Sequence, residues 1–250
     1  MRRDVILALA VLVLAAAAPA GTADRELDFA LFDAAGAGDA PRVAELLRDG
    51  ASPAARDRFG NSALMFAVRS RDAATVRTLL AAGADPNLAN LSRISALTTA
   101  AYNGDAEIAR LLLEAGADAT HADNTGKTAI VYAAGNGAAA IVALLLDYDV
   151  DAGAAYGHDL TALMWAAGYG HTEVMRELLA RGASVDAVDD RGRTALMIAA
   201  EGGEATAVRL LLESGARSDL VDGGGQSACE LAAAAGQTSI TDLLDAAQAC

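Results

Sequence analysis

Residues 189–203 read Asp-Asp-Arg-Gly-Arg-Thr-Ala-Leu-Met-Ile-Ala-Ala-Glu-Gly-Gly. Asp189-Asp190-Arg191-Gly192 is turn chemistry, and Thr194 is a hydroxyl residue suited to cap a helix that runs through Ala195 to Ala200. Gly202-Gly203 breaks that helix. A second, amphipathic helix follows with Val208, Leu211 and Leu212 on its buried stripe, and Gly215 supplies the positive φ that ends it. The stretch therefore predicts a helix, a turn, a second helix and a hairpin loop.

The same unit recurs along the chain. Gly-Ala stands at Gly50-Ala51, Gly83-Ala84, Gly116-Ala117, Gly182-Ala183 and Gly215-Ala216, with Asp149-Val150 in the remaining slot, and every gap is 33 residues or a multiple of it. A second marker keeps the same beat: Ser62-Ala63-Leu64, Ser95-Ala96-Leu97, Thr128-Ala129-Ile130, Thr161-Ala162-Leu163, Thr194-Ala195-Leu196 and Ser227-Ala228-Cys229. The interhelix glycine repeats at Gly38, Gly104, Gly137, Gly170, Gly203 and Gly236, with Arg71 in the vacant position. One such unit cannot bury its own apolar face, so neighbouring units must supply the core and the terminal units must present polar outer faces.

The period of 33 and the pattern Asp-x-x-Gly-x-Thr-Ala-Leu-x-x-Ala-Ala-x-x-Gly resemble the ankyrin repeat. The resemblance implies an all-α solenoid of helix-turn-helix units joined by hairpin loops. It divides residues 24–250 into an N-terminal cap repeat (24–56), full repeats at 57–89, 90–122, 123–155, 156–188 and 189–221, and a C-terminal cap (222–250). Two family features are absent. The proline after the hydroxyl residue is alanine in every copy, and the histidine two places later is Met65, Thr98, Val131, Met164, Met197 or Glu230. Apolar residues in that slot are expected to pack between repeats. The Thr-Ala-Leu-Met wording is similar to that of many bacterial ankyrin proteins.

Composition narrows the function classes. The chain has 250 residues, 54% of them hydrophobic but only 4% aromatic, a formal charge of -14 and a single lysine, Lys127. Small aliphatic cores are expected, and no general basic patch exists to bind nucleic acid or an anionic membrane. Most of the acidic excess reads as a solvated face that keeps the array soluble and monomeric. The first twenty residues differ in kind: Arg2 and Arg3 precede an apolar run over residues 5–18, followed by Ala18-Pro19-Ala20. Residues 1–20 read as a cleaved export signal, because fourteen apolar residues rise only about 21 Å as a helix against a hydrocarbon core of about 30 Å. The mature protein is then expected in the periplasm or secreted, with no stable membrane anchor; the export route stays open.

The resemblance implies a non-catalytic module that binds a protein partner through its concave face, formed by the hairpin tips and one face of each first helix. On the positions that match, this surface contains Arg58, Phe59, Phe66, Arg69, Leu91, Ile94, Tyr102, Asn103, Lys127, Tyr132, Asn136, His158, Leu160, Trp165, Tyr169, Arg191, Arg193 and Ile198. It is basic on an acidic chain: Arg58, Arg69, Lys127, Arg191 and Arg193 stand against Asp190 and Glu201. It also holds six of the ten aromatic residues, and aromatics interleaved with arginine are what interface hot spots are made of. Phe66, Tyr132 and Trp165 share one helix position and read equally well as half-buried packing between repeats, whereas Tyr102 and Tyr169 point to recognition. A narrower reading is a periplasmic immunity or protective factor for one enzyme.

Irregularities gather in the middle repeats, where Arg93 and Asp159 replace the turn glycine and Asp149 the helix-ending glycine, each a candidate for positive φ. Cys229 starts the last unit's first helix and Cys250 follows its second, so antiparallel helices can bring the pair together as a disulfide; the alternative is a small core residue and a free terminal thiol. Catalytic signals are sparse. His171 matches a structural histidine of the family. His121 and His158, near Asp123 and Asp159, make at most a weak metal site, the one basis for a metal-dependent sensor or enzyme. No serine, cysteine or threonine has a base at readable spacing, and no metal or cofactor is expected.

Overall fold

The computed structural model describes residues 22–247 and Cys250; the expected export signal, 1–20, lies outside the described residues. Seven helix pairs follow in order: α1 (Thr22–Ala37) and α2 (Ala40–Arg48); α3 (Ala63–Arg69) and α4 (Ala73–Ala81); α5 (Ala96–Asn103) and α6 (Ala106–Glu114); α7 (Ala129–Gly135) and α8 (Ala139–Asp147); α9 (Ala162–Gly168) and α10 (Thr172–Ala180); α11 (Ala195–Gly202) and α12 (Ala205–Glu213); α13 (Ala228–Ala234) and α14 (Thr238–Ala246). A two-stranded hairpin, β1 (Ala155–Tyr156) and β2 (Leu160–Thr161), lies between α8 and α9. Among the described residues no helix is long and apolar enough to cross a membrane.

Local chemistry starts the first helices where the hydroxyl markers stand. The side chains of Ser62, Ser95, Thr161, Thr194 and Ser227 each accept the backbone N–H three residues on, satisfying one donor of the first turn. Thr128 occupies the same slot without making this bond. Glu230, in place of the family's histidine, returns the favour by accepting the Ser227 N–H at 2.8 Å. Met65, Val131, Met164 and Met197 in that slot are buried in the core between repeats.

The first helices form one layer and the second helices another, each helix lying against its counterparts in the repeats on either side. Ala67, Ala100, Ala133, Ala166 and Ala199 are fully buried at one position of successive first helices, and Leu64, Leu97, Ile130, Leu163 and Leu196 at another. Alanine lets the first-helix backbones approach closely, while each buried leucine or isoleucine contributes about 1.5–3 kcal/mol of transfer energy. The outer layer is less closely packed, so the stack is concave on the side of the first helices and hairpins. Side chains also tie repeat to repeat: Ser70 Oγ donates to the Ala35 carbonyl at 3.1 Å, Asn103 Nδ2 to Val68 at 3.3 Å and Asn136 Nδ2 to Tyr102 at 2.8 Å. His171 Nε2 lies 3.0 Å from the Gly135 carbonyl, the structural role its position suggested.

Every hairpin but that of the fifth repeat is folded around one acceptor. Oδ1 of Asp57, Asn90, Asp123, Asp189 and Asp222 accepts the backbone N–H groups two and four residues ahead, at 2.7–3.1 Å. The fifth repeat has Tyr156 there and cannot fold this way. Its hairpin closes instead by backbone pairing of Ala155 with Thr161 and Tyr156 with Leu160, around a 3-10 turn, Gly157–Asp159. Two residues of that turn, His158 and Asp159, have positive φ (64° and 57°). Arg93 and Asp149 are also left-handed, at 59° and 61°. Arg71 at 61° occupies the interhelix glycine slot, and its guanidinium grips the Asp105 carboxylate of the next repeat at 2.7–3.0 Å.

Cys229 and Cys250 are joined by a disulfide, their Cα atoms 5.6 Å apart, which attaches the chain end to the start of α13. The first repeat has both helices, and exposed Phe29 meets Phe32 edge-on at its outer end.

Two expectations follow from the backbone. Asp149 is exposed and forced left-handed, so Asp149→Gly should raise stability by up to about 1 kcal/mol in urea unfolding. Burial pushes the Asp123 carboxyl up, but bonds from the Tyr132 and Thr125 hydroxyls and from two backbone N–H groups outweigh it and hold it below its usual 3.8. A carboxylate depressed on folding stabilises the fold fully above its unfolded value and loses that contribution as pH falls through the lower folded value. Melting temperature should therefore hold down to pH about 4 and drop below it, with Asp123→Asn showing a shallower acid drop; Asp123→Ala should cost about 2 kcal/mol at neutral pH.

Candidate protein interface on the concave face

The 33-residue period repeats side-chain slots as well as helices. Phe66, Thr99, Tyr132, Trp165 and Ile198 share one position of the first helix; Arg69, Tyr102, Gly135, Gly168 and Glu201 lie three residues on, and Ser70, Asn103, Asn136, Tyr169 and Gly202 four residues on. Positions i, i+3 and i+4 fall on one helix face, so these slots line up across the concave surface. Phe66, Tyr132, Trp165 and Ile198 are half-buried, packed against the core. Phe66 stacks on Phe32 with centroids 5.5 Å apart, and the Tyr132 hydroxyl donates to Asp123 at 2.6 Å. Burial together with that hydrogen bond pushes the Tyr132 phenol up to about 12. Tyr102 and Tyr169 stand out from the surface at 62% and 58% exposure.

These rings wall three neighbouring depressions. The first, of about 270 Å³, is lined by Arg69, Ile94, Thr98, Thr99, Tyr102 and Tyr132. The second, about 290 Å³, lies between Tyr102 and Tyr132 on one side and Trp165 and Tyr169 on the other, with Lys127, Val131, Gly135 and Asn136. The third, about 310 Å³, lies between Trp165, Tyr169 and Ile198, with Leu160, Met164, Gly168 and Arg193. Adjacent depressions share walls, giving one groove along α5, α7, α9 and α11. Tyr102 meets Tyr132 edge-on at 6.0 Å, and Trp165 stacks on Tyr169 at 6.4 Å. Both rings lie against Gly135, where a Cβ would make ordinary contacts, 3.8 Å from Trp165 and 3.9 Å from Tyr169. At Gly168 a Cβ would come within 3.0 Å of Ile198, so any side chain there would require Ile198 to shift.

The basic residues divide into two groups. Arg193 is mostly buried and ion-paired with Asp189 at 3.3 Å and Glu201 at 2.9 Å. Arg191, exposed at its hairpin tip, lies 3.8 Å from Asp189 and beside the separate hollow formed with Asp222 and Gly223. Lys127, Arg69 and Arg58 have no carboxylate within 4.0 Å among the described residues and lie over rings instead. Lys127 Nζ is 4.5 Å from the Trp165 centroid and 5.8 Å from that of Tyr132; Arg69 is 5.7 Å from Phe66 and Arg58 4.7 Å from Phe59. Arg69 also donates to Asn61 at 3.0 Å.

Of the residues singled out from sequence, Arg69, Ile94, Tyr102, Lys127, Tyr132, Asn136, Trp165, Tyr169 and Arg193 meet in this groove. Arg58 and Phe59 form a separate pair at the second repeat's hairpin, and Arg58 also borders a hollow beside Phe29 and Phe32. Leu91, 72% exposed, is a hairpin tip whose N–H donates to the Phe59 carbonyl. The side-chain amides of Asn103 and Asn136 are occupied by the bonds between repeats. His158 contacts Asp190 at 2.8 Å and His121 the Arg93 carbonyl at 2.8 Å, so the two imidazoles engage different partners and do not converge with Asp123 and Asp159. Among the described residues the one group of potential metal ligands is Cys229, Cys250 and Asp245, and the two sulfurs are bonded to each other. Thr98, Met164, Gly135 and Gly168 were not singled out; the two glycines show in the period as bare members of a slot that elsewhere holds Arg69, Tyr102 or Glu201.

A family model for ankyrin repeats (3 copies) matches residues 8–90, 64–156, 97–189 and 163–248. Among solved structures, the human ASB11 ankyrin repeat domain is similar with a TM-score of 0.80 and 27% identity, covering 87% of this chain and 96% of that one. The ankyrin repeat domain of Bcl-3, described as a unique member of the IkappaB protein family, is similar with a TM-score of 0.74 and 26% identity over 86% of this chain and 97% of its own. No curated protein shows significant sequence similarity to the chain. The overlapping family matches, together with seven stacked helix pairs, show that this chain belongs to the ankyrin-repeat family.

Proposed function

We propose that this protein is a non-catalytic module that binds a single protein partner in the groove along α5, α7, α9 and α11. Ankyrin-repeat domains generally mediate protein–protein interaction. The observation that carries the reading for this chain is the run of three aromatic-walled depressions crowned by exposed Tyr102 and Tyr169. Only 4% of the residues are aromatic, and a soluble chain gains nothing in stability by exposing large rings together on one face. The shifted carboxylates Asp57 and Asp123 serve hairpin hydrogen bonds, which supports a binding role over a reaction centre. Once the partner is isolated, replacing Trp165 and Tyr169 together by alanine should weaken binding by at least about 2 kcal/mol in titration calorimetry while the circular dichroism spectrum is retained. Unchanged affinity would place the binding surface elsewhere.

The proposal includes export as a monomer to the periplasm or the medium. Arg2, Arg3, the apolar run 5–18 and Ala18-Pro19-Ala20 support it, as does a disulfide, which persists in oxidising compartments. N-terminal sequencing of the protein recovered from a host's periplasm should begin at Gly21; an intact Met1 terminus in the cytosolic fraction would contradict export.

A further inference from the structure

Lys127 is the chain's single lysine and lines the middle of the groove's three depressions. It is half-buried, and its ammonium sits over Trp165 and Tyr132 with no carboxylate within 4.0 Å among the described residues. The acid of its own hairpin, Asp123, is taken up by the Tyr132 and Thr125 hydroxyls and by backbone N–H groups. On a chain of net charge -14, an ammonium without a counter-ion, set among rings, is a local inversion of sign. Arg69 at the neighbouring depression has no carboxylate within 4.0 Å among the described residues and reaches Asp57 only through Asn61, whereas Arg193 on the other side is already neutralised by Asp189 and Glu201.

The geometry points to an acidic, extended segment of the protein partner as the occupant of the groove, its carboxylate seated on Lys127 and apolar side chains entering the flanking depressions beside Ile94 and Ile198. This rests on the concave-face reading above and specifies the chemistry of its ligand. A carboxylate brought to an ammonium among apolar walls gains a charge-assisted hydrogen bond shielded from water, while a cationic side chain there meets an uncompensated positive charge. Packed helices are about 8–10 Å apart, and a chain in the extended polyproline II form advances about 3.1 Å per residue with three residues per turn, so one repeat corresponds to about three ligand residues and every third side chain faces the groove. The ligand pattern is then apolar, two spacers, Asp or Glu, two spacers, apolar.

The test pans a phage-displayed library of random dodecamers against the purified full chain and measures synthetic versions of the enriched peptides against the protein and its variants. Enriched peptides should carry the acidic residue with a large apolar residue three positions to each side. Their affinity should fall about tenfold or more with Lys127→Met, hold within about threefold with Lys127→Arg, and respond to replacing the peptide's acid by its amide only when residue 127 is cationic. Melting curves establish that each variant is folded. A neutral or basic residue at the central position, equal binding of the acid and amide peptides, or no enrichment above background overturns the inference. Peptides lost with Trp165→Ala and Tyr169→Ala but indifferent to Lys127→Met overturn the carboxylate alone. Peptides indifferent to all three variants overturn the concave-face reading with it.

Discussion

A pair of short helices in this chain can take its apolar stripe out of water only by lying against the next pair. That constraint governs the molecule. First helices of seven to eight residues in the full repeats are too short to be stable in isolation, and their alanines have little area to bury among themselves. Stacked, they place Leu64, Leu97, Ile130, Leu163 and Leu196 in one continuous core and bring the backbones close enough for Asn103, Asn136 and His171 to reach the carbonyls of the preceding repeat. The recognition face is a by-product of the same contact. Because every repeat repeats its slots, a residue on the inner face of one helix has a neighbour from the equivalent slot one layer away.

The groove depends on how that regularity is broken. Bulky Tyr132 and Trp165 stand in one slot while glycine stands three residues on, at Gly135 and Gly168; Trp165 and Tyr169 lie against Gly135 of the preceding repeat, and Ile198 lies against Gly168 of its own preceding repeat. A chain with identical repeats would carry a uniform ridge. Here the alternation of ring and glycine hollows the surface, and the hairpin of the fourth repeat delivers one ammonium into it.

Much of this was legible in the sequence for a physical reason: caps, helix breakers and positive-φ residues are local, and a strict period multiplies each local signal. The helix pairs, the buried methionines in place of the family's histidine, and the left-handed Arg93, Asp149 and Asp159 could all be read in one dimension. The hairpin of the fifth repeat could not be read so fully. The loss of its folding carboxylate shows only when Tyr156 is aligned with Asp57, Asn90, Asp123, Asp189 and Asp222, and His158 turned left-handed as a consequence. Nor could sequence distinguish an arginine free to meet a ligand from one already neutralised. Arg69 and Arg193 both belong to the expected surface, yet only the second finds two carboxylates within reach, Asp189 four residues back and Glu201 eight residues on.

The covalent clasp between Cys229 and Cys250 makes the two ends of the stack unequal. In a linear array, melting ordinarily creeps inward from either terminus, since an end repeat has a neighbour on one side only. Tying Cys250 back to α13 restricts how far α14 can stray, whereas α1 and α2 have no comparable tether among the described residues. Unravelling then acquires a direction, starting from the amino-terminal pair. The repeats bearing Trp165 and Tyr169, nearer the clasp than α1 and α2, would then keep their shape longer.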